Sequence, residues 1–364
     1  MSSIHNLNAE RNGFDKRVFP GIFSIRDLLS QELPPAKWIV PDLLPEGVTL
    51  LAGKPKIGKT WLAQGLAVAI ATGGIALGSK RVEQGEVLYL ALEDNKRRLH
   101  KRFKKLLTED PPQCLSAAVD WPSLDQGGDE WIAGWCATHP DARLVVIDTL
   151  KKVRPRTNGQ RSFYDADYES LEALIPIASD YGVGILVLHH LRKMDADDPL
   201  DTISGSTGLS GGVDGTLVLK RDRGKADAYL FVDGRDVEEP GEYALRWDAQ
   251  LTAWQLLGDA EEYRIGETRA KMLRALADAA PDAMSPTDIA IEIAENIDNV
   301  KQTLRRMDRD GQIKKVGHGK YCHFSHSVTS EKGSHFSHSV TSEEGEGLQS
   351  DTVTEMTGDT GELS

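Results

Sequence analysis

The feature that most constrains this chain is one eight-residue segment, Gly-Lys-Pro-Lys-Ile-Gly-Lys-Thr, at residues 53–60. The apolar run Val48 to Ala52 before it predicts a buried strand, and the apolar spacing from Trp61 to Ile70 predicts a helix after it. Strand, glycine-rich loop and helix in this order are the context of a phosphate-binding P-loop. Backbone N–H groups of such a loop surround phosphate oxygens, and the positive end of the helix dipole points at them.

The P-loop predicts a site for ATP and Mg²⁺. Lys59 is expected to reach the β- and γ-phosphates, and the hydroxyl of Thr60 is expected to bind Mg²⁺. The residues expected to contact ATP are consecutive in the sequence: Gly53, Lys54, Pro55, Lys56, Ile57, Gly58, Lys59, Thr60 and Trp61.

Acidic residues follow two other predicted strands. Asp148 follows the run Leu144 to Ile147, which is the arrangement of the aspartate that holds Mg²⁺ in P-loop proteins. Glu93 follows the run Val87 to Leu92, at the carboxyl edge where ligands bind in α/β sheets. We expect Glu93 to activate the attacking water, and Asp94 is its immediate competitor.

Two histidines, His189 and His190, follow the run Gly184 to Leu188 at the same predicted edge. A polar residue there can sense the γ-phosphate and pass its loss to the following loop. We expect one histidine to act in this way and the other to be structural. The sequence leaves open which is which.

Apolar runs of five or six residues alternate with helical segments through most of the chain. Such runs predict strands that are buried on both faces, and therefore an α/β domain with a mainly parallel sheet. The runs Thr216 to Lys220 and Ala228 to Asp233 flank a turn-like segment, which predicts a hairpin at the end of the sheet. We predict a partly disordered leader at residues 1–40 and the α/β domain at 41–260.

A different pattern begins near Tyr263. Three helical segments are followed by two short runs around glycines, which predicts a winged helix-turn-helix at residues 263–324. Polar side chains on one face of the third helix, with lysines of the wing, suit base edges and phosphates of DNA. A module that makes only protein contacts is the alternative. The residues expected to contact DNA are Asn299, Lys301, Gln302, Arg305, Arg306, Lys314, Lys315 and Lys320.

The net charge of -13 hides an uneven distribution of charge. Residues 301–320 contain seven basic and two acidic residues, whereas the segment from Phe324 onward contains eight acidic residues and one lysine. The nonapeptide that begins at His323 recurs at His335, in a segment rich in Ser, Thr, Gly and Glu. We predict a disordered acidic tail at 325–364, and we prefer a solvated linker to a metal site for the repeated histidines.

These motifs together resemble the RepA-type branch of the RecA/DnaB-like ATPases, the replicative helicases of plasmids and related phages. The resemblance covers about residues 40–239 and rests on the P-loop, Tyr-Leu-Ala-Leu-Glu-Asp-Asn, Leu-Val-Val-Ile-Asp-Thr-Leu, Leu-His-His, Ser-Gly-Ser-Thr-Gly-Leu and Gly-Arg-Asp. It implies a RecA-like core, Glu93 as catalytic base, Asp148 on Mg²⁺, a histidine sensor and a hexameric ring. It also implies an arginine finger supplied by the neighbouring subunit, for which Arg221, Arg223 and Arg235 are the candidates.

Composition excludes several other classes of protein. No run of eighteen apolar residues is present, so we expect no membrane span. The N-terminus lacks the apolar region of a secretion signal, which predicts a cytoplasmic protein. The cysteines, Cys114, Cys136 and Cys322, fit no metal-ligand spacing.

The function expected from the sequence is an ATP-hydrolysing motor of plasmid- or phage-type DNA replication, which binds single-stranded DNA through a ring and duplex DNA through the winged helix. A replication initiator or a primase is the expected protein partner. Two alternatives stay open: a RecA-type recombination or repair accessory ATPase, and an ATP-gated DNA-binding regulator.

Overall fold

The fold is taken from a computed structural model of the chain. The structure describes residues 23–33, 35–107, 110–155, 163–190, 208–221, 227–317 and 319–324. Most of the predicted leader, Arg223 and the predicted acidic tail with its repeated nonapeptide lie outside these ranges. The chain divides into two units between Ala270 and Lys271, slightly beyond the predicted boundary at 260–263, and each unit is described by itself.

Fifteen strands are found in the described part of the chain. In chain order they are β1 (Trp38–Val40), β2 (Leu44–Pro45), β3 (Gly47–Gly53), β4 (Ile75–Ala76), β5 (Lys80–Arg81), β6 (Glu86–Ala91), β7 (Leu115–Ala118), β8 (Ala142–Asp148), β9 (Gly184–His190), β10 (Gly215–Lys220), β11 (Asp227–Gly234), β12 (Gly241–Asp248), β13 (Ala253–Asp259), β14 (Ile313–Val316) and β15 (Lys320–His323).

Ten α-helices are found in the same ranges. In chain order they are α1 (Ile25–Leu29), α2 (Lys59–Thr72), α3 (Lys96–Leu106), α4 (Gly128–Thr138), α5 (Leu150–Val153), α6 (Phe163–Tyr181), α7 (Gly208–Gly211), α8 (Ala260–Asp278), α9 (Pro286–Glu292) and α10 (Ile297–Arg309). None of the described helices is long and apolar enough to cross a membrane.

Nine of these strands form one sheet, in the order β13-β12-β11-β10-β3-β9-β8-β6-β7. The six strands from β10 to β7 in this order run parallel, and β11, β12 and β13 extend the sheet with antiparallel pairs. The predicted α/β class with a mainly parallel sheet is confirmed. The carboxyl ends of β3, β9, β8 and β6 are neighbours, with Gly53 paired to His190 and Ala91 paired to Asp148.

The parallel strands are buried on both faces of the sheet. Consecutive residues such as Leu50 and Leu51 enter two different hydrophobic clusters, one on each side. Helix α2 packs into the first cluster and α6 into the second. A strand that is covered on both sides consists of consecutive apolar residues. This explains why these strands could be predicted from the sequence.

Two segments differ from the sequence prediction. The sequence also predicts that Trp247 to Leu257 closes the α/β domain. These residues instead contain the turn of the hairpin β12–β13, where Asp248 Oδ1 accepts the N–H groups of Gln250 and Leu251 at 2.8 and 2.9 Å. The sequence predicts a helix from Thr268 to Ala279, but α8 begins at Ala260, because Asp259 Oδ1 accepts the N–H groups of the first turn. Strand β7 and helix α4 were not predicted.

The second unit contains the C-terminal part of α8, from Lys271 onward, followed by α9, α10 and the hairpin β14–β15. Ser285 and Asp288 form a reciprocal capping box at α9, with Pro286 at the first helical position as the sequence predicted. Val300, Leu304 and Met307 of α10 are buried in a small core together with Ile313 of the hairpin. The order of elements suits the predicted winged helix-turn-helix, and that identification stays a prediction.

Candidate active site

The phosphate-binding loop lies between β3 and α2, where the sequence placed it. Gly58 has a φ of +114° and Lys56 a φ of +66°, so the backbone turns back sharply before α2 begins at Lys59. A Cβ on Gly53 would lie 2.7 Å from the carbonyl oxygen of Leu219 on the adjacent strand. Glycine is therefore required at Gly53 by close packing and is favoured at Gly58 by backbone conformation.

The Lys59 ammonium is buried at the base of this loop. Its Nζ donates to the carbonyl oxygens of Gly53 and Lys54 at 2.6 and 3.1 Å and lies 3.2 Å from Nδ1 of His190. Burial lowers the pKa of Lys59 to about 8, and the carboxylates of Asp148 and Glu93 oppose this shift. The ammonium is thus desolvated in advance and held by carbonyl groups that a phosphate could replace.

Asp148 ends β8 beside the loop and is 7% exposed. Its carboxylate interacts with the hydroxyl of Thr60 and accepts a hydrogen bond from the Tyr89 hydroxyl at 3.1 Å. Burial raises the pKa of Asp148, and these two hydrogen bonds oppose the rise. Burial also raises the pKa of Tyr89, so its phenol stays protonated and orients the carboxylate. Tyr89 was not among the predicted site residues, although its hydroxyl within an otherwise apolar strand was a usable signal.

Glu93 and Asp94 leave β6 in different environments. The Asp94 carboxylate is nearly buried and pairs with Arg98 at 2.9 Å and Arg102 at 2.8 Å, which ties the start of α3 to the strand. The Glu93 side chain is 44% exposed and faces the cavity, with Oε1 3.8 Å from Nε2 of His190. Of the two carboxylates, Glu93 is the one available to a bound water, because Asp94 is engaged by two arginines.

The two histidines of β9 point to opposite sides of the strand. His189 is buried, and its Nε2 has no hydrogen-bond partner among the described residues. His190 lies between Lys59 and Glu93, and burial, with the Lys59 charge, lowers its pKa. With Lys59 donating to Nδ1, the proton of the neutral ring is on Nε2, which faces Glu93. The structure therefore places His190, and not His189, at the candidate site.

These side chains line one cavity of about 630 Å³. Its walls include Lys59, Glu93, Asp148 and His190, together with Arg102 and Arg221. Trp61 and Trp247 also line it, and their rings lie 5.8 Å apart. Among the predicted ATP contacts, Pro55, Lys56, Gly58, Lys59, Thr60 and Trp61 reach the cavity.

Tryptophans of the antiparallel strands close one side of the P-loop. Trp254 Nε1 donates to the carbonyl oxygen of Gly58 at 3.2 Å, and the Trp254 ring lies 5.4 Å from that of Trp247. The guanidinium of Arg221 stacks on Trp254 at 5.0 Å, and that of Arg102 lies 5.5 Å from the Trp61 ring. Arg102, Trp247 and Trp254 were not among the predicted site residues, because their contacts join distant parts of the chain.

The arginine candidates are in different places. Arg221 lines the cavity of its own chain. Arg235 lies at the opposite edge of the sheet, where its guanidinium is 3.3 Å from the carboxylate of Asp214 and 3.3 Å from the carbonyl of Gly211. Arg223 is outside the described residues.

The predicted DNA contacts lie on the surface of the second unit. Every one of them is exposed: Asn299, Lys301, Gln302, Arg305, Arg306, Lys314, Lys315 and Lys320. Lys301 lies 3.7 Å from Asp298, one turn away on the same helix. The structure thus presents a cationic surface on α10 and the hairpin.

Mg²⁺ fits the oxygen atoms at the carboxyl ends of the central strands. A P-loop site supplies Mg²⁺ with one hydroxyl, a carboxylate and phosphate oxygens, rather than a cage of protein ligands. Thr60 and Asp148 provide that pair here, in contact with each other. Within the described residues no cluster of three His, Cys, Asp or Glu side chains forms a separate metal site.

Comparison with known proteins gives one family match and several similar structures. Residues 18–196 match the family model described as an AAA domain. A DnaB-like replicative helicase, solved for its interactions with primase, is similar at 14% identity over 69% of this chain and 73% of that chain, with a TM-score of 0.49. The RadB recombinase is similar at 16% identity over 58% and 91%, with a TM-score of 0.42.

A KaiC-like protein from the hyperthermophilic archaeon Pyrococcus horikoshii is similar at 16% identity, over 62% of this chain and 98% of that chain, with a TM-score of 0.44. The family match is the comparison that covers the site directly, since its residues include the P-loop, Glu93, Asp148 and His190. Residues 18–196, with these side chains, therefore match the AAA domain family.

Proposed function

We propose that this protein hydrolyses ATP with Mg²⁺ and uses the reaction on DNA during replication, as a ring-forming, RepA-like helicase or translocase. The observation that supports the ATPase part is the arrangement of Lys59, Asp148, Glu93 and His190 around one cavity at the carboxyl edge of the sheet. These residues come from four adjacent strand ends, so the fold holds them rigidly relative to one another.

The P-loop side of the cavity binds the phosphates. Lys59 exchanges its carbonyl partners for phosphate oxygens, while N–H groups at the start of α2 donate to the same anion. Thr60 and Asp148 would hold Mg²⁺, and the ion would supply positive charge against the bound phosphates.

Glu93 faces the phosphates from the other side of the cavity. Its carboxylate orients a water molecule toward the γ-phosphate and accepts a proton from it. His190 contacts both Lys59 and Glu93, so the loss of the γ-phosphate changes the partners of His190 directly. This contact makes His190 the sensor of hydrolysis in the proposal, and it passes the change to the chain that follows β9.

An arginine completes the charge balance of the transition state. Arg221 is placed to act on ATP in its own subunit, because it lines the same cavity as Lys59. In that case the arginine finger that a neighbouring subunit supplies in trans is Arg223 or Arg235. Arg221 is the third candidate, if assembly of the ring turns it toward a neighbouring subunit. A ring of six subunits is part of the proposal, with single-stranded DNA in its channel.

The exposed cations of the second unit support a second contact, with duplex DNA. Arg305 and Arg306 on α10 suit base edges and phosphates, and Lys314 and Lys315 of the hairpin suit the flanking backbone. Replacing Arg305, Arg306, Lys314 and Lys315 with glutamine should weaken duplex binding and reduce its salt dependence. Unchanged duplex affinity would instead favour a module for protein contacts.

The test of the proposed function is the steady-state ATPase rate with and without single-stranded DNA, together with the mass in solution with a non-hydrolysable ATP analogue. A ring-sized mass and DNA-stimulated turnover support the motor, and directional unwinding identifies a helicase. Turnover on DNA without unwinding supports the recombination or repair ATPase. A monomer or dimer with turnover indifferent to DNA supports the ATP-gated regulator.

A further inference from the structure

Helix α3 carries a concentration of positive charge that the ATPase site does not use. Its eleven residues, Lys-Arg-Arg-Leu-His-Lys-Arg-Phe-Lys-Lys-Leu, include seven lysines and arginines and no acid, in a chain whose net charge is -13. Like charges one turn apart on a helix repel each other and destabilise it. A helix of this composition is therefore best explained by an anionic partner.

The cations of α3 divide between two sides of the helix. Arg98 and Arg102 face the strand exit and pair with Asp94. The outward face consists of Arg97, Lys101, Lys104 and Lys105. Lys101 is four positions from both Arg97 and Lys105 and three positions from Lys104. All four are exposed, and none forms a salt bridge with a described residue. We call these four residues the α3 cationic face.

A groove lies beside this face, between α3 and β7 at the edge of the sheet. Its volume is about 350 Å³, and its lining is mainly apolar, with His100, Phe103, Leu107, Pro112 and Leu115. Lys104 of the cationic face lines the same groove. Single-stranded nucleic acids bind where a row of cations follows the backbone and ring or apolar side chains contact the bases.

We propose that the α3 cationic face, with this groove, binds single-stranded DNA. The cations contact successive phosphates, and the groove accepts exposed bases, which a duplex keeps stacked inside. The inference rests on the proposed function, since it names where the ATPase domain contacts its DNA. It differs from the predicted duplex contact, which belongs to α10 and β14–β15.

The packing of α3 favours DNA over a membrane surface. Basic amphipathic helices lie on membranes by inserting an exposed apolar face. Leu99 of α3 is buried, and Phe103 packs edge-on against Tyr89 with ring centroids 6.1 Å apart. Leu99 and Phe103 are thus engaged with the sheet, and the residues of α3 that are exposed are all polar: Lys96, Arg97, Arg98, His100, Lys101, Lys104 and Lys105.

The same helix is fastened to the residue that activates water. Arg98 Nη2 donates to the carbonyl oxygen of Glu93 at 2.8 Å, and its Nε donates to Asp94 at 2.9 Å. Arg102 links Asp94 to the Trp61 ring on the P-loop side. A DNA strand bound on α3 therefore acts on the backbone of Glu93 through Arg98, and on the adjacent Asp94 through both arginines, which gives DNA a short route to the ATPase site.

The experiment measures binding of a fluorescent oligo(dT) to the full chain across a salt series. The variant Arg97→Gln/Lys101→Gln/Lys104→Gln removes three charges from the cationic face. The matched control, Arg26→Gln/Lys80→Gln/Arg81→Gln, removes the same charge elsewhere in the first unit. We expect the first variant to lose about tenfold or more in affinity at about 0.1 M salt, and its slope of log affinity against log salt to fall by about 2. The control variant should have the same affinity for oligo(dT) and the same salt slope as the wild-type protein.

Each outcome has a separate meaning. If the wild-type chain binds oligo(dT) and the two variants weaken binding equally, the assignment of the α3 cationic face as the binding site is wrong and the proposed function stands. If the wild-type chain fails to bind oligo(dT) at low salt, the DNA part of the proposed function fails, and the inference fails with it. If the first variant loses binding to phosphatidylserine vesicles but keeps its affinity for oligo(dT), the face is a membrane surface.

Thermal unfolding checks that each variant is folded. If the triple variant unfolds, the single change Lys101→Gln serves instead, because that side chain is exposed at the middle of the face. One lost phosphate contact should lower the salt slope by about 0.7. An unchanged slope for Lys101→Gln would contradict the proposed contact.

Discussion

Trp254 Nε1 donates a hydrogen bond to the carbonyl oxygen of Gly58, across 3.2 Å of space and 196 positions of sequence. Trp254 belongs to β13, at the outer edge of the sheet, and Gly58 is the last residue before α2. The antiparallel strands therefore fold back onto the phosphate-binding loop and hold its sharpest turn. This contact makes the loop depend on strands that lie beyond the region of the family match, which ends at residue 196.

Gly58→Ala should disrupt this turn. A Cβ at Gly58 would lie 2.8 Å from Cζ2 of Trp254, and the φ of +114° strains any L side chain. We expect a loss of about 1–3 kcal/mol in the free energy of unfolding and weaker ATP binding, measured by chemical denaturation and analogue titration. Gly65→Ala is the control, since no atom lies within 4 Å of its Cβ and alanine favours a helix by about 0.5–1 kcal/mol.

Glu93→Gln should separate ATP binding from hydrolysis. The amide keeps the shape of the side chain but cannot accept a proton, so turnover should fall by about 10²- to 10⁴-fold with ATP affinity retained. Asp94→Asn should instead lower stability by about 1–3 kcal/mol, because it weakens the two arginine pairs that hold α3. Steady-state kinetics and denaturation measure the two effects. A larger loss of turnover in Asp94→Asn would reverse the assignment.

His190→Asn should impair the response to hydrolysis more than the binding of ATP. His190 contacts Lys59 and Glu93, so its loss removes the link between the two sides of the cavity. We expect DNA-stimulated turnover to fall at least tenfold while analogue affinity stays within a few-fold. His189→Asn is the paired variant, and its effect should be on stability, because His189 is buried away from the cavity. Equal kinetic losses in both would contradict a specific role for His190.

The affinity for ATP should depend on pH through Lys59. Burial lowers the pKa of Lys59 from its ordinary value of 10.5 to about 8, so the ammonium loses its charge as the pH rises through 8. Bound phosphates favour the charged form, and affinity should therefore be highest below pH 8 and fall above it. Analogue titrations between about pH 7 and about pH 9.5 measure this change. Lys59→Arg should flatten the profile, since a guanidinium stays charged.

Stability of the nucleotide-free protein should show the opposite trend. The folded pKa of Lys59 lies below the unfolded one, so the unfolded chain binds more protons between about pH 8 and 10.5. The contribution of Lys59 to the free energy of unfolding therefore rises across that window and is unfavourable below it. Lys59→Met, which removes the buried charge, should lose this dependence when denaturation is followed at several pH values.

Local patterns of residues were enough to predict the individual parts of the site. A glycine-rich loop between a strand and a helix is dictated by backbone geometry, so the P-loop and Lys59 could be predicted directly. Apolar runs located β3, β6, β8 and β9 because strands buried on both faces show little alternation. Asp148 and Glu93 could then be predicted as site residues, because residues at the carboxyl ends of parallel strands lie together at one edge of the sheet.

The way in which these parts meet depends on the three-dimensional fold. The sheet order places β9 between β3 and β8, which brings His190 beside Lys59 and turns His189 away. Pairing of Asp94 with two arginines distinguished it from Glu93, and packing of Trp254 on Gly58 joined residues nearly two hundred positions apart. These relationships depend on long-range packing and on side-chain direction, and neither is encoded in a local pattern of residues.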